Sequence, residues 1–129
     1  MPNAKSPNMK NHDLKLRTKL FALQVIKFWE NLPKDETCKV LGRQLLRSGT
    51  SVGANYRAVC RAKSKPDFIS KFGNVLEEAD GSAFWVELLM DSGKIRAEQG
   101  RALLGEANEL VAISISSINT ARKNSAAAP

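Results

Sequence analysis

SKPDFISKFGNVLEEADGSAFWVELLMDSG, residues 64–93, carries both ends of one helix and the face that helix buries. Ser64 stands where an N-cap oxygen is needed, and Asp67 follows three residues later as the reaching-back partner of a capping box. Pro66 falls in the first turn, where an N–H has no helical partner to lose. Asp91-Ser92-Gly93 supplies the stop. Between these signals Phe72, Val75, Ala79, Ser82, Val86 and Leu89 recur at threes and fours. Ile69, Leu76, Ala83 and Met90 run beside them at sevens. That period predicts an amphipathic helix with one core-facing stripe.

The same period continues on both sides. Leu14, Phe21, Val25, Phe28 and Leu32 make an earlier stripe that Pro33 ends. Leu41, Leu45, Val52, Tyr56 and Val59 make a second. Leu103, Ala107, Leu110 or Val111, Ser114, Ile118 and Ala121 make a fourth. Strand-like alternation is confined to AISIS at 112–116, which fits the helical stripe as well. Four amphipathic helices joined by short loops close most simply as an all-α, antiparallel up-down-up-down four-helix bundle. Residues 13–123 form that bundle. The polar residues 1–12 are expected to be a disordered tail, and residues 124–129 a flexible one.

The chain has 129 residues, 43% of them hydrophobic, which suits one domain with a single core and does not suit a disordered polymer. The N-terminal residues contain no apolar core of a secretory signal, and no apolar run is long enough to span a bilayer. Cys38 and Cys60 would lie roughly 33 Å apart on one helix, far beyond disulfide reach. Reduced thiols and no leader predict a cytoplasmic protein with no membrane partner.

The net charge of +7 is unevenly placed. Residues 1–65 hold 14 Lys+Arg against 4 Asp+Glu, and residues 66–129 hold 6 against 9. No acid occurs from Thr37 to Pro66. On a helical wheel run through this stretch, Lys39, Arg43, Arg47, Arg57, Arg61 and Lys65 share an arc of about 80°, opposite the apolar stripe. An ordinary solvated face mixes signs, because like charges at helical spacing repel. The cations are therefore candidate contacts to an anionic partner, RNA or DNA. The competing use is pairing with Glu77, Asp80, Glu87 and Asp91, which share one arc of the third helix and are candidate salt-bridge residues of an oligomer. The stretch also holds Gly42, Gly49 and Gly53 on one seam beside the apolar stripe. Each costs a helix about 1 kcal/mol, so three together point to a close helix–helix approach, with a break near Gly49 as the alternative.

Enzyme motifs fail on context. Gly49-x-Ser51-x-Gly53 matches a nucleophile elbow in letters, but the preceding LGRQLLR is helical where a strand is required. His12 is the only histidine, so neither a Ser-His pair nor Glu-x-x-His metal ligands can be assembled. Two distant cysteines make no zinc site. The expectation is no catalytic residue, no metal, no cofactor and no small-molecule substrate. Tyr56 is the only aromatic of the second helix and faces the apolar side, so nucleic-acid contact is expected to be to the backbone and tolerant of sequence.

Residues 44–89, QLLRSGTSVGANYRAVCRAKSKPDFISKFGNVLEEADGSAFWVELL, resemble the four-helix-bundle family of 23S rRNA intervening-sequence proteins. FALQVIKFWENLP at 21–33 and SSINTAR at 116–122 are similar to its pattern too. The resemblance implies a small bacterial cytosolic protein that assembles as a ring-like homopentamer. It also implies kinship with retroelement accessory proteins, in which a basic pentamer binds nucleic acid and a reverse transcriptase. Arg47, Ser48, Ser51, Asn55, Arg57 and Arg61 match the family pattern. Ala58 departs from it, standing where many members carry an acid, which makes this face more basic. The family offers no catalytic residues to carry over. The expectation is a non-enzymatic, oligomeric nucleic-acid binder or adaptor for a nucleic-acid enzyme. The alternative is an interaction scaffold whose basic helix pairs with acidic stripes of neighbouring subunits.

Overall fold

The structure, a computed structural model, describes residues 9–127, and side chains over residues 14–124. Four helices follow in order: α1 Met9–Glu30, α2 Glu36–Val59, α3 Lys65–Asp91 and α4 Ala97–Ala127. There is no strand among the described residues. Two helix ends fall inside stretches read from the sequence as tails: α1 begins at Met9 and α4 runs to Ala127. Residues 1–8 and 128–129 lie outside the described residues.

The helix ends follow from local chemistry. Asp35 caps α2, its Oδ1 accepting the Cys38 N–H at 2.8 Å. Ser64 caps α3, its Oγ accepting the Asp67 N–H at 3.1 Å, while Asp67 accepts the Lys63 N–H at 3.0 Å. The reaching-back carboxylate thus lands one residue before the cap rather than on Ser64 itself. At the far end of α3, the Gly93 N–H bonds the Met90 carbonyl and the Lys94 N–H bonds the Leu89 carbonyl. Gly93 adopts φ +77°, a conformation that a side chain disfavours, so glycine completes this Schellman turn.

One core joins all four helices. Phe21, Val25, Leu45, Val52, Val75, Val86, Leu89 and Leu110 are among its buried side chains. Three serines, Ser48, Ser82 and Ser114, are buried within it. Ser48 and Ser82 share a 2.9 Å hydrogen bond across α2 and α3, and Ser82 also donates to the Glu78 carbonyl. That pairing removes the cost of burying two hydroxyls.

α2 runs unbroken through Gly49 and Gly53, and its glycines face α1. A Cβ at Gly42 would meet Leu32 at 2.9 Å and Trp29 at 3.0 Å, and one at Gly49 would meet Val25 at 2.6 Å. One at Gly53 would lie 3.4 Å from the Thr18 backbone. As α2 numbers rise, their α1 partners fall. The same holds for Arg47 with Glu78 and Tyr56 with Phe72 across α2 and α3. α1 packs broadly on α2 and only thinly on α4. The α1–α4 seam carries a bidentate bridge in which Arg17 donates to Glu106 at 2.7 and 2.9 Å.

Candidate nucleic-acid interface

α2 is amphipathic across its width. Leu45, Ser48, Val52, Tyr56 and Val59 go inward, and Lys39, Arg43, Arg47 and Arg57 go to solvent. The remaining two cations of the wheel do not belong to this helix. α2 stops at Val59, so Arg61 sits in the α2–α3 turn and Lys65 is the first residue of α3. A wheel carried past Val59 is therefore the wrong construction for these two. Both are nevertheless exposed. The reason is legible afterwards: an N-cap at Ser64 needs extended backbone, φ −161° and ψ 169°, and no helix passes through it.

The cations meet little counter-charge. Arg47 pairs with Glu78 at 3.4 Å, a long contact for a guanidinium–carboxylate pair, and the Arg47 side chain is 60% exposed. Among the described residues, Lys39, Arg43, Arg57, Arg61 and Lys65 make no ion pair. Glu78 is not one of the four acids singled out from the sequence. Those four, Glu77, Asp80, Glu87 and Asp91, lie exposed along the outer side of α3 and pair with nothing among the described residues. Within one chain the basic and acidic stripes stay apart.

The hydroxyls and amides between the cations serve the helix. Thr50 donates to the Leu46 carbonyl at 2.8 Å, Ser51 to the Arg47 carbonyl at 2.7 Å and Asn55 to the Ser51 carbonyl at 2.9 Å. Ser51, the letter-match to a nucleophile, is thus held against its own helix in mid-element. His12 falls where side chains are outside the described residues. No group of His, Cys, Asp and Glu among the described residues is arranged to hold a metal.

Charge at the helix ends is tuned by neighbours. The Cys38 N–H, and then Lys94 at 3.5 Å, holds the Asp35 carboxyl below its ordinary value. Hydrogen bonds from Lys71 and from the Lys63 N–H do the same for Asp67. Burial, with Asp35 beside it, pushes the Cys38 thiol up. Both cysteines are free, Cys38 buried and Cys60 exposed.

Sequence reasoning missed two of these features. The Asp35-Glu36-Thr37 start of α2 carries a standard N-cap signal and was open to reading. The Arg17–Glu106 bridge has no local signal, because its partners are 89 residues apart. No helix among the described residues is long and apolar enough to cross a membrane.

The chain matches the family model described as 23S rRNA-intervening sequence protein over residues 10–116. It is similar to a crystal structure from Bacteroides thetaiotaomicron, a protein with unknown function from the S23 ribosomal protein family. Identity is 34% and the TM-score 0.78, covering 86% of this chain and 99% of that one. No curated protein matches the chain.

Proposed function

This chain belongs to the family of 23S rRNA-intervening sequence proteins, and on that premise we propose that it is a non-enzymatic, cytoplasmic nucleic-acid binder or adaptor. It acts as an antiparallel up-down-up-down four-helix bundle, a topology supported by the opposed order of contacts along successive helices. It needs no cofactor, and it contacts the sugar-phosphate backbone of RNA or DNA through α2. One observation carries this reading: Lys39, Arg43 and Arg57 are solvent-exposed on α2 with no acid paired to them among the described residues. Such a row neutralises phosphates and releases counterions, which supplies affinity without reading sequence.

Binding of a mixed-sequence single-stranded RNA, followed by fluorescence anisotropy as salt rises, tests it. Four engaged α2 cations give a log–log slope of about −3 for a single strand. Arg43→Glu with Arg57→Glu should abolish binding and leave the thermal midpoint unchanged. Absence of binding by the parent protein at low salt would overturn the reading.

A second reading is supported by a different surface. Leu16, Leu20 and Leu23 are 57%, 51% and 52% exposed along one side of α1, and Phe84 is 50% exposed on α3 among the unpaired acids. Apolar stripes of this kind mark protein contacts. α1 also presents Lys15, Lys19 and Lys27 to solvent, complementary in sign to α3. A head-to-tail contact of α1 with α3 of another copy uses both faces, and a ring such as the pentamer implied by the family resemblance closes it. In that arrangement α2 keeps its cations in solvent, so self-association and nucleic-acid binding are compatible.

A further inference from the structure

A cleft of about 880 Å³ opens where the start of α1, the α2–α3 turn and the C-terminal half of α4 meet. Its rim carries Lys15, Lys63 and Lys65, and among the described side chains no Asp or Glu lines it. None of the three ammonium groups forms an ion pair among the described residues. Asp67, which follows Lys63 and Lys65 in sequence, is taken up by the Lys63 N–H and by Lys71.

The hydroxyls of the α4 wall are the more telling feature. Thr18, Thr50, Ser51, Ser82 and Ser114 bond back to a carbonyl one turn earlier, whereas the exposed Ser70 of α3 does not. Ser116, Ser117 and Thr120, which line the cleft, make no such bond and have no other partner among the described residues. Three lysines and three unused hydroxyls therefore face one space, with no carboxylate among the described side chains. That is the donor set of a phosphate site. The floor differs. Phe68 and Val59 supply apolar surface beside the donors, enough to receive a flat ring. The volume falls in the range of small-ligand pockets.

We infer that this cleft binds a nucleotide, with its phosphate on Lys15, Lys63, Lys65 and the α4 hydroxyls and its base against Phe68. The same chemistry is offered by a free mononucleotide and by the 5′-phosphorylated end of an RNA strand. The site lies off the exposed face of α2, sharing only Lys65 with the six cations named from the sequence, so it does not depend on the backbone-binding reading.

Cys60 lines the cleft and is exposed, whereas Cys38 is 1% exposed, so a maleimide reports on Cys60. The alkylation rate is measured with AMP, with adenosine, and with a short RNA bearing either a 5′-phosphate or a 5′-hydroxyl. AMP should slow alkylation at least about fivefold, in line with the loss of access on site occupancy, and adenosine should not. Phosphorylated RNA protecting better than hydroxyl RNA assigns the strand end as a source; AMP protecting alone assigns the free nucleotide. Lys15→Ala with Lys63→Ala should remove protection while the thermal midpoint holds, and Ser117→Ala with Thr120→Val should weaken it. Failure of both AMP and phosphorylated RNA to protect, or protection that survives Lys15→Ala with Lys63→Ala, overturns the inference. The Arg43→Glu, Arg57→Glu protein separates the two sites, since it should lose binding of 5′-hydroxyl RNA and keep AMP protection.

Discussion

Gly49 shows how one missing methyl sets the distance between two helices. A Cβ there would sit 2.6 Å from Val25 Cγ2 and 3.1 Å from its Cβ. Val25 is fully buried and stiff at χ1, so it has nowhere to go. Gly49→Ala should therefore destabilise: overpacking costs about 1–3 kcal/mol, against a helix-propensity gain of at most about 1 kcal/mol. The same substitution at Gly105 meets nothing within 4 Å in the interior of α4 and should stabilise by about 1 kcal/mol. Urea midpoints of the two variants, moving in opposite directions, check this. The seam of small residues was visible in the sequence because Gly42, Gly49 and Gly53 share a face. Its steric partner was not, since Val25 looks like any other core valine until the register is fixed. Gly100, against Met90 Sδ at 2.7 Å, continues the α4 stripe three residues before Leu103, but a lone glycine there gave no signal of a close approach.

At the scale of the element, α2 and α3 are each held at the N-terminus by an aspartate that must be charged. Both carboxyls titrate below the ordinary 3.8 in the folded chain. A depressed folded value means the stabilisation is complete above the unfolded value and is lost as pH falls through the folded one. The thermal midpoint should thus be flat from neutrality to about pH 5 and fall as the pH drops below about 4. Asp35→Asn with Asp67→Asn keeps oxygen acceptors for the caps and removes the titration, so its midpoint should fall less over the same interval. An unaltered acid limb in the double variant would show that the caps are not responsible. Element ends were read well where proline or glycine marks them, as at Pro33, Pro66 and Gly93. The end of α2 was not. Cys60, Arg61, Ala62 and Lys63 carry no breaker, and only the geometry demanded by Ser64 stops the helix before them.

For the whole molecule, the question is whether the leucines of α1 find a partner copy. Leu16→Ser, Leu20→Ser and Leu23→Ser together should convert an assembled protein to monomer in light scattering, with the thermal midpoint of the monomer little changed because these side chains are half exposed already. A parent protein that scatters as a monomer at high concentration would rule out self-association through this face. The four-helix reading and its core stripes were legible because burial follows period alone. The site was legible only in part: charge sign and spacing can be read from letters, whereas the unused hydroxyls of the α4 cleft appear only when their neighbours are in place. The division of charge has one more consequence. With α1 and α2 carrying nine cations against three acids and the outer side of α3 a row of acids, the folded chain is an electric dipole as well as a net cation. A polyanion within about one Debye length exerts a torque on it and turns the α2 side forward before contact. The protein arrives oriented, and its productive encounters are more frequent than its small basic area alone allows.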